Sequence, residues 1–262
     1  MIGAALLLLA AQPAIATPAP AAPVVAAETF APPVDRPMTY RVTTRRLSRD
    51  GSIASYVQTY TLQWERVGRG VQLVATLNKV ESDARPELAQ AFGRLLQPLV
   101  DQPISYLVAP DGSRVDLVDP EGLWQRVMAQ AQAMAAAAEQ PEAKQLAEML
   151  AALPPEERQK LATSDVRALV APANAEIPYP PATGVTVRQD GNLRTITRTE
   201  KSYVASGAGG MRPIEVDASW TVDTATGLLV GERRQSWVAE PDGSGRKLVE
   251  ERVRILENPA SS

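Results

Sequence analysis

RPIEVDASWTVDTATGLLVGERRQSWVAE, residues 212–240, decides how this chain is built. In its first half Ile214, Val216, Ala218, Trp220 and Val222 alternate with Glu215, Asp217, Ser219 and Thr221. A period of two marks a strand with one buried face and one wet face. Thr224, Ala225, Thr226 and Gly227 supply a turn, and residues 228–239 return as a second strand. If Asp223 faces Leu228 across that turn, antiparallel counting sets Val222 opposite Leu229, Trp220 opposite Gly231 and Ile214 opposite Trp237. That register buries Trp220 between sheet and helices, lying across the bare backbone of Gly231.

The same period runs outward in both directions. Residues 185–189, 193–204 and 247–256 extend the strand-rich segment to 185–257. Toward the N-terminus, residues 38–47, 53–66 and 71–78 alternate in the same way, and 104–108 with 114–118 form a shorter hairpin. Asp-Gly occurs at 50–51, 111–112, 190–191 and 242–243, each time between strand candidates. Both residues tolerate positive φ, so the pair favours tight hairpins and an antiparallel sheet over βαβ units.

Between the strand-rich segments the period lengthens. Leu88, Phe92, Leu95, Leu96 and Leu99 share one face of a helix within 86–100. Asp119 suits an N-cap, Pro120 the first helical position and Glu121 the positive end of the helix dipole. Trp124, Val127, Met128, Ala131 and Met134 then share a face up to Pro141. A second helix covers 142–153 and buries Leu146, Met149 and Leu150. A short third one starts at Glu156 and carries Leu161, with a further turn at 164–170. The fold class is therefore α+β: a curved antiparallel sheet of about ten strands with a helical insert, 119–170, packed on its concave face. Residues 38–257 read as one such domain, and 258–262 as a disordered tail.

The N-terminal residues read differently. An apolar run over 1–11, a break at Pro13 and the sequence Ala14-Ile15-Ala16 fit a secretory signal, 1–16, cut after Ala16. The run is too short to span a bilayer, which takes about 20 apolar residues. Residues 17–37 are rich in Pro and Ala without periodicity and read as an extended tether that packs against little. The expected location is periplasmic or secreted.

An exported chain with a long antiparallel meander, helices folded against it and the phrase Trp220-Thr221-Val222-Asp223-Thr224-Ala225-Thr226-Gly227-Leu228-Leu229 resembles the LolA/LolB-type periplasmic carriers of lipidated or greasy cargo. It equally resembles several uncharacterised secreted bacterial families with such a sheet. The resemblance implies a carrier. Absence of cysteine sets the chain apart from lipid-anchored members, and no cargo-binding residue transfers with a phrase of this length.

Chemistry is bounded by what is missing. The sequence contains neither histidine nor cysteine, which excludes disulfides, Ser-His-Asp and Cys-His catalysis, zinc fingers and histidine-bearing metal centres. Twenty-seven Lys and Arg against 30 Asp and Glu leave a net charge of −3, with signs interspersed, so no basic field draws in nucleic acid. No cofactor or metal is expected. Asp116, Asp119 and Glu121 gather carboxylates, but helix capping accounts for two of them. Ser244-Gly245-Arg246-Lys247 matches Ser-x-x-Lys, yet follows a turn rather than opening a helix.

Candidate ligand-facing residues are aromatic. Tyr56, Tyr60 and Trp64 form one stripe, and Trp124, Trp220 and Trp237 lie on the main helix and the central hairpin. The same spacings serve a core or a cross-strand ladder. Arg45-Arg46 and Arg233-Arg234 can meet phosphate or lipid head groups, or pair with Glu232, Glu250 or Glu251. On a strand, one residue of each pair faces inward. Two functions follow: a non-catalytic exported binding or carrier protein for an apolar or lipid-like ligand, or a structural or protein-interaction module of the envelope with no small-molecule ligand. Partners on these readings are an apolar ligand or an envelope protein. An enzyme working with carboxylates stands behind both. Amino-terminal sequencing of the exported protein is expected to start at Thr17; recovery of the intact leader from the soluble envelope fraction would contradict the cleavage.

Overall fold

A computed structural model describes residues 29–34, 36–48, 50–137, 141–172, 177–178, 182–205, 211–239 and 245–257. The proposed signal 1–16, the tail 258–262 and the Asp-Gly turn at 242–243 lie outside the described residues. Ten strands form one open antiparallel sheet: β1 Met38–Leu47, β2 Ile53–Val67, β3 Gly70–Ser82, β4 Pro103–Val108, β5 Val115–Leu117, β6 Val185–Asp190, β7 Leu193–Ala205, β8 Met211–Asp223, β9 Leu228–Ala239 and β10 Arg246–Glu257. Their order is β5-β4-β3-β2-β1-β10-β9-β8-β7-β6, so the first and last strands meet in the middle. Apart from that β1–β10 seam, and β3–β4, spanned by a helix, each neighbouring pair is joined by one short connection, as the Asp-Gly turns suggested. Gly51, Gly112 and Gly191 take positive φ at those turns.

Among the described residues between β3 and β6 lie four α-helices, α1 Pro86–Leu96, α2 Pro120–Ala137, α3 Pro141–Ala152 and α4 Pro155–Leu169, with a 3-10 turn at Gln97–Leu99 after α1. Asp119 caps α2 as its sequence predicts, Oδ1 accepting from Gly122 N at 2.9 Å. A side chain at Gly122 would collide with that carboxylate. Leu123, Trp124, Val127 and Ala131 are the buried face of α2. In α1 the buried face is Phe92, Leu95 and Leu96, whereas Leu88, in the first turn, is exposed. The side chain of Leu146 lies outside the described residues, while Leu150 is fully buried. The expected short helix and separate turn at 156–170 are instead the continuous helix α4. The hydroxyls of Thr163 and Ser164 bond back to the carbonyls of Gln159 and Leu161 within the helix, at 2.9 and 3.0 Å.

The main core lies between the helices and the β5–β1 half of the sheet. Tyr40, Tyr60, Leu62, Trp64, Leu73, Leu77, Tyr106, Leu96, Leu99 and Leu123 are its largest fully buried side chains. A smaller cluster, Ala171, Ile177, Ile196, Val222 and Leu229, sits over the other half.

Two expectations fail here. The tether does not pack against little throughout. Phe30 is buried with its ring edge on Trp64, centroids 5.7 Å apart, Val34 bridges to Trp64, and Ala31 N donates to Thr226 O at 2.9 Å. Gly227, at φ 68°, is needed for the β8–β9 turn and for this strap, since a Cβ there would lie 2.6 Å from Thr29 O. The register of the central hairpin also departs from the simple count. Asp223↔Leu228 and Val222↔Leu229 hold, but a bulge follows, and Thr221, not Trp220, faces Gly231. Trp220 pairs with Glu232, and Ile214 with Val238. Leu228, Leu229 and Val230 are three apolar residues in a row, which a regular strand cannot turn to one face. With the bulge, Leu228 joins the main core and Leu229 the smaller cluster. Trp220 is consequently half-buried beside the smaller cluster rather than sunk beneath a helix.

Burial holds the phenols of Tyr40, Tyr60 and Tyr106 above the ordinary value of 10.0. Below pH 10 both folded and unfolded chains keep these protons. Above it only the unfolded chain releases them, so stability falls as pH rises, by up to about 1.4 kcal/mol per pH unit for each tyrosine. Urea unfolding at successive pH values should show this loss beginning near pH 10. Free titration of all the tyrosines in the folded protein would contradict it.

Candidate functional site

Strand registers place one set of side chains on the helix side of the sheet. Across β1, β10 and β9 the rows are Val42–Arg254–Glu232 and Thr44–Arg252–Arg234, and the latter continues to Ala218 on β8 and Arg198 on β7. The first row is fastened to α4. Arg254 Nε and Nη2 donate to Asp165 Oδ1 at 3.0 and 2.8 Å, and Nη1 donates to Glu232. Arg254 and Asp165 are almost completely inaccessible. Burial works against the guanidinium charge, but Asp165 and Glu232 outweigh it and raise the Arg254 pKa above the ordinary value.

The second row lacks such partners. Arg252 Nε and Nη2 and Thr44 Oγ1 are buried without a hydrogen-bond partner among the described residues, as are Arg198 Nε, Tyr40 Oη and Asp165 Oδ2. Burial, followed by the charge of Arg254, lowers the Arg252 pKa.

Beyond these rows the face opens. α4 packs against β5 and β9, and the closest helix packing stops there. On β8 and β9, Ile214, Val216, Ala218, Trp220 and Val238 share this side and are all partly exposed. The result is a concave face in three zones: an apolar core under helices, a polar spine on β10 and β9, and a partly open apolar floor on β8.

The six aromatics divide among different settings. Tyr56 meets Phe92 edge-on at 4.9 Å, Tyr60 meets Tyr40 at 6.4 Å, and Trp64 lies beneath Phe30, all in the main core. Trp124 is also core, under the guanidinium of Arg158 at 5.4 Å. Trp220 borders the open floor. Trp237 is on the opposite face, opposite Glu215, with Arg246 at 4.5 Å over its ring. The structure thus brings Tyr56, Tyr60 and Trp64 together but separates Trp220 from Trp237. Surface hollows of about 700 Å³ beside the β4–β5 turn and about 240 Å³ between β4 and α2 are lined by none of the six.

Of the arginine pairs, Arg45 and Arg233 turn outward onto Glu251, and Arg46 turns inward to Glu250. Arg234 turns inward with no acidic partner among the described residues. Sequence reading missed Asp165, Arg252 and Arg254. A signal existed, since Arg252 and Arg254 fall in phase with Leu256, on the buried side of their strand.

No known family model matches the chain, and no curated protein matches it. Among solved structures, a LolA superfamily protein, NE2245 from Nitrosomonas europaea, is 8% identical, with 88% of each chain covered and a TM-score of 0.19. At that score the two chains do not superpose as wholes.

Asp165→Ala leaves Arg254 buried against Glu232 alone. Equilibrium urea unfolding should show a loss of about 3–5 kcal/mol, and Arg254→Met in the same chain should restore much of it. A change near zero for Asp165→Ala would mean that the pair is not buried in solution.

Proposed function

We propose that the protein is an exported, non-catalytic carrier or binding module that holds an apolar or lipid-like ligand over the open half of its concave face. The observation that carries this reading is the contiguous apolar floor of Ile214, Val216, Ala218, Trp220 and Val238, left partly exposed where helix cover ends. Exposed contiguous apolar surface on a folded domain commonly marks an interaction site. The leader, the Pro/Ala segment after it and the absence of histidine and cysteine support export and binding rather than catalysis. The inward-facing carboxylates are committed: Glu232 and, on α4, Asp165 to Arg254, and Glu250 to Arg46.

One observation favours the alternative of an envelope interaction module: Tyr56, Tyr60, Trp64 and Trp124 are spent on the core. On that reading the same floor takes a partner's apolar surface. Organic extraction and mass spectrometry of protein purified without detergent separates the two. The carrier reading expects a co-purifying amphiphile and a change in tryptophan emission when a long-chain lipid is added to stripped protein. Both should be lost in Val216→Glu, a change the partly open floor can accommodate. Absence of any extracted lipid together with unchanged emission would overturn it.

A further inference from the structure

The spine contains a cationic position that the fold itself does not satisfy. Thr44, Arg252 and Arg234 stand directly opposite one another on three adjacent strands, on one face, so neighbours are about 5 Å apart. Like charges placed opposite each other destabilise a sheet. The acids of the flanking rows are already taken, Glu250 by Arg46, Glu232 by Arg254 and Glu200 by Arg198, and Asp165 of α4 is held by Arg254 as well. Thr44 is 2% exposed, and its hydroxyl has no partner among the described residues. Buried polar groups are ordinarily paired, and one left unpaired is costly.

The orphaned atoms of Arg252 are chemically specific. Nε and Nη2 form one edge of the guanidinium, the two parallel N–H donors that fit both oxygens of a carboxylate or a phosphate. Thr44 Oγ1 adds a third hydrogen-bonding group beside them, and the exposed Arg234 is long enough to close over what binds. The row leads to Ala218, whose strand neighbours Val216 and Trp220 belong to the apolar floor.

We propose that Arg252, Thr44 and Arg234 seat the anionic head, carboxylate or phosphate, of an amphiphile whose apolar chain lies along Ile214, Val216, Ala218 and Trp220. This rests on the carrier reading for the chain, while the seat itself rests on the unpartnered fork and hydroxyl.

The test is calorimetric titration of the full exported protein, stripped of lipid, with oleate, oleyl phosphate, oleyl alcohol and inorganic phosphate. At least one of the charged amphiphiles should bind tighter than the alcohol by about tenfold or more, as expected for a charge-assisted hydrogen-bonded pair. Comparing the two identifies the head. Arg252→Gln should abolish the preference and leave alcohol binding unchanged, and Arg252→Lys should keep part of it. Without ligand, Arg252→Gln should melt no lower than the parent, because no satisfied interaction is removed. A melting temperature several degrees lower would instead assign Arg252 a structural role and overturn the seat.

Equal binding of charged and uncharged chains, or a preference that survives Arg252→Gln, overturns the seat and leaves the carrier reading standing. Binding of inorganic phosphate alone, lost in Arg252→Gln, supports an anion seat and overturns the carrier reading. If none of the four binds, both fall, and water satisfies the donors.

Discussion

The concave shape depends on helix α4 holding strands that lie far apart in the sheet. Ala162 and Asp165 are three residues apart, about 4.5 Å along a helix. Yet Tyr106 of β4 donates to the Ala162 carbonyl at 3.2 Å, and Arg254 of β10 grips Asp165. In a flat sheet β4 and β10 would be four strand spacings apart, about 19 Å. Long side chains make up part of that distance, and curvature supplies the rest. Twist alone curls an antiparallel sheet, but these two anchors set where the curl closes on the helix. They also mark where cover stops: past β9 there is no equivalent anchor on a described helix.

The Arg254 anchor is better understood as positioning than as a source of net stability. Burying three charged groups has a large desolvation cost, which good geometry only roughly offsets, and apolar replacements are often as stable. What the ion cluster supplies is direction. A leucine at 165 could slide along the sheet, whereas a carboxylate at 2.8–3.0 Å from two guanidinium nitrogens cannot. It holds α4 above β10 and draws Glu232 of β9 into the same network. The apolar packing of Leu62, Leu73, Leu77 and Leu123 beneath then provides the free energy, through area removed from water.

How much of this was legible depended on the range of the interaction that governed it. Strands and turns were legible because alternation and Asp-Gly are local signals, and the cap on α2 because Asp119-Pro120-Glu121 carries its own chemistry. The hairpin register was legible only as far as Val222↔Leu229. The bulge beyond it answers to two separate clusters competing for Leu228 and Leu229, which no local pattern contains. Asp165 drew no notice because its partner is 89 residues away. Phe30 looked like part of a tether because the ring it covers, Trp64, belongs to another strand. Of the candidate site, the aromatics were visible as residues but not as environments. An inward-facing member of Arg233-Arg234 followed from strand geometry alone, and Arg234 is that residue.

Adjacent residues of β10 show that the unpaired cation is not a general tolerance of this fold. Glu251 points to the outer face and is 1% exposed, with Arg45 Nη1 at 3.0 Å, Arg233 Nε at 2.7 Å and Gln235 Nε2 at 2.9 Å. Three donors from three residues on the flanking strands converge on one carboxylate and engage both of its oxygens. Arg252, the next residue, points to the inner face and forms no ion pair among the described residues, although Glu250 and Glu232 lie in the flanking rows. The same three strands therefore complete one buried charge and leave its neighbour open. Departures of this kind from local consistency concentrate at functional positions in folded proteins. Here the departure occurs on the concave side, where the polar spine meets the floor that no described helix covers.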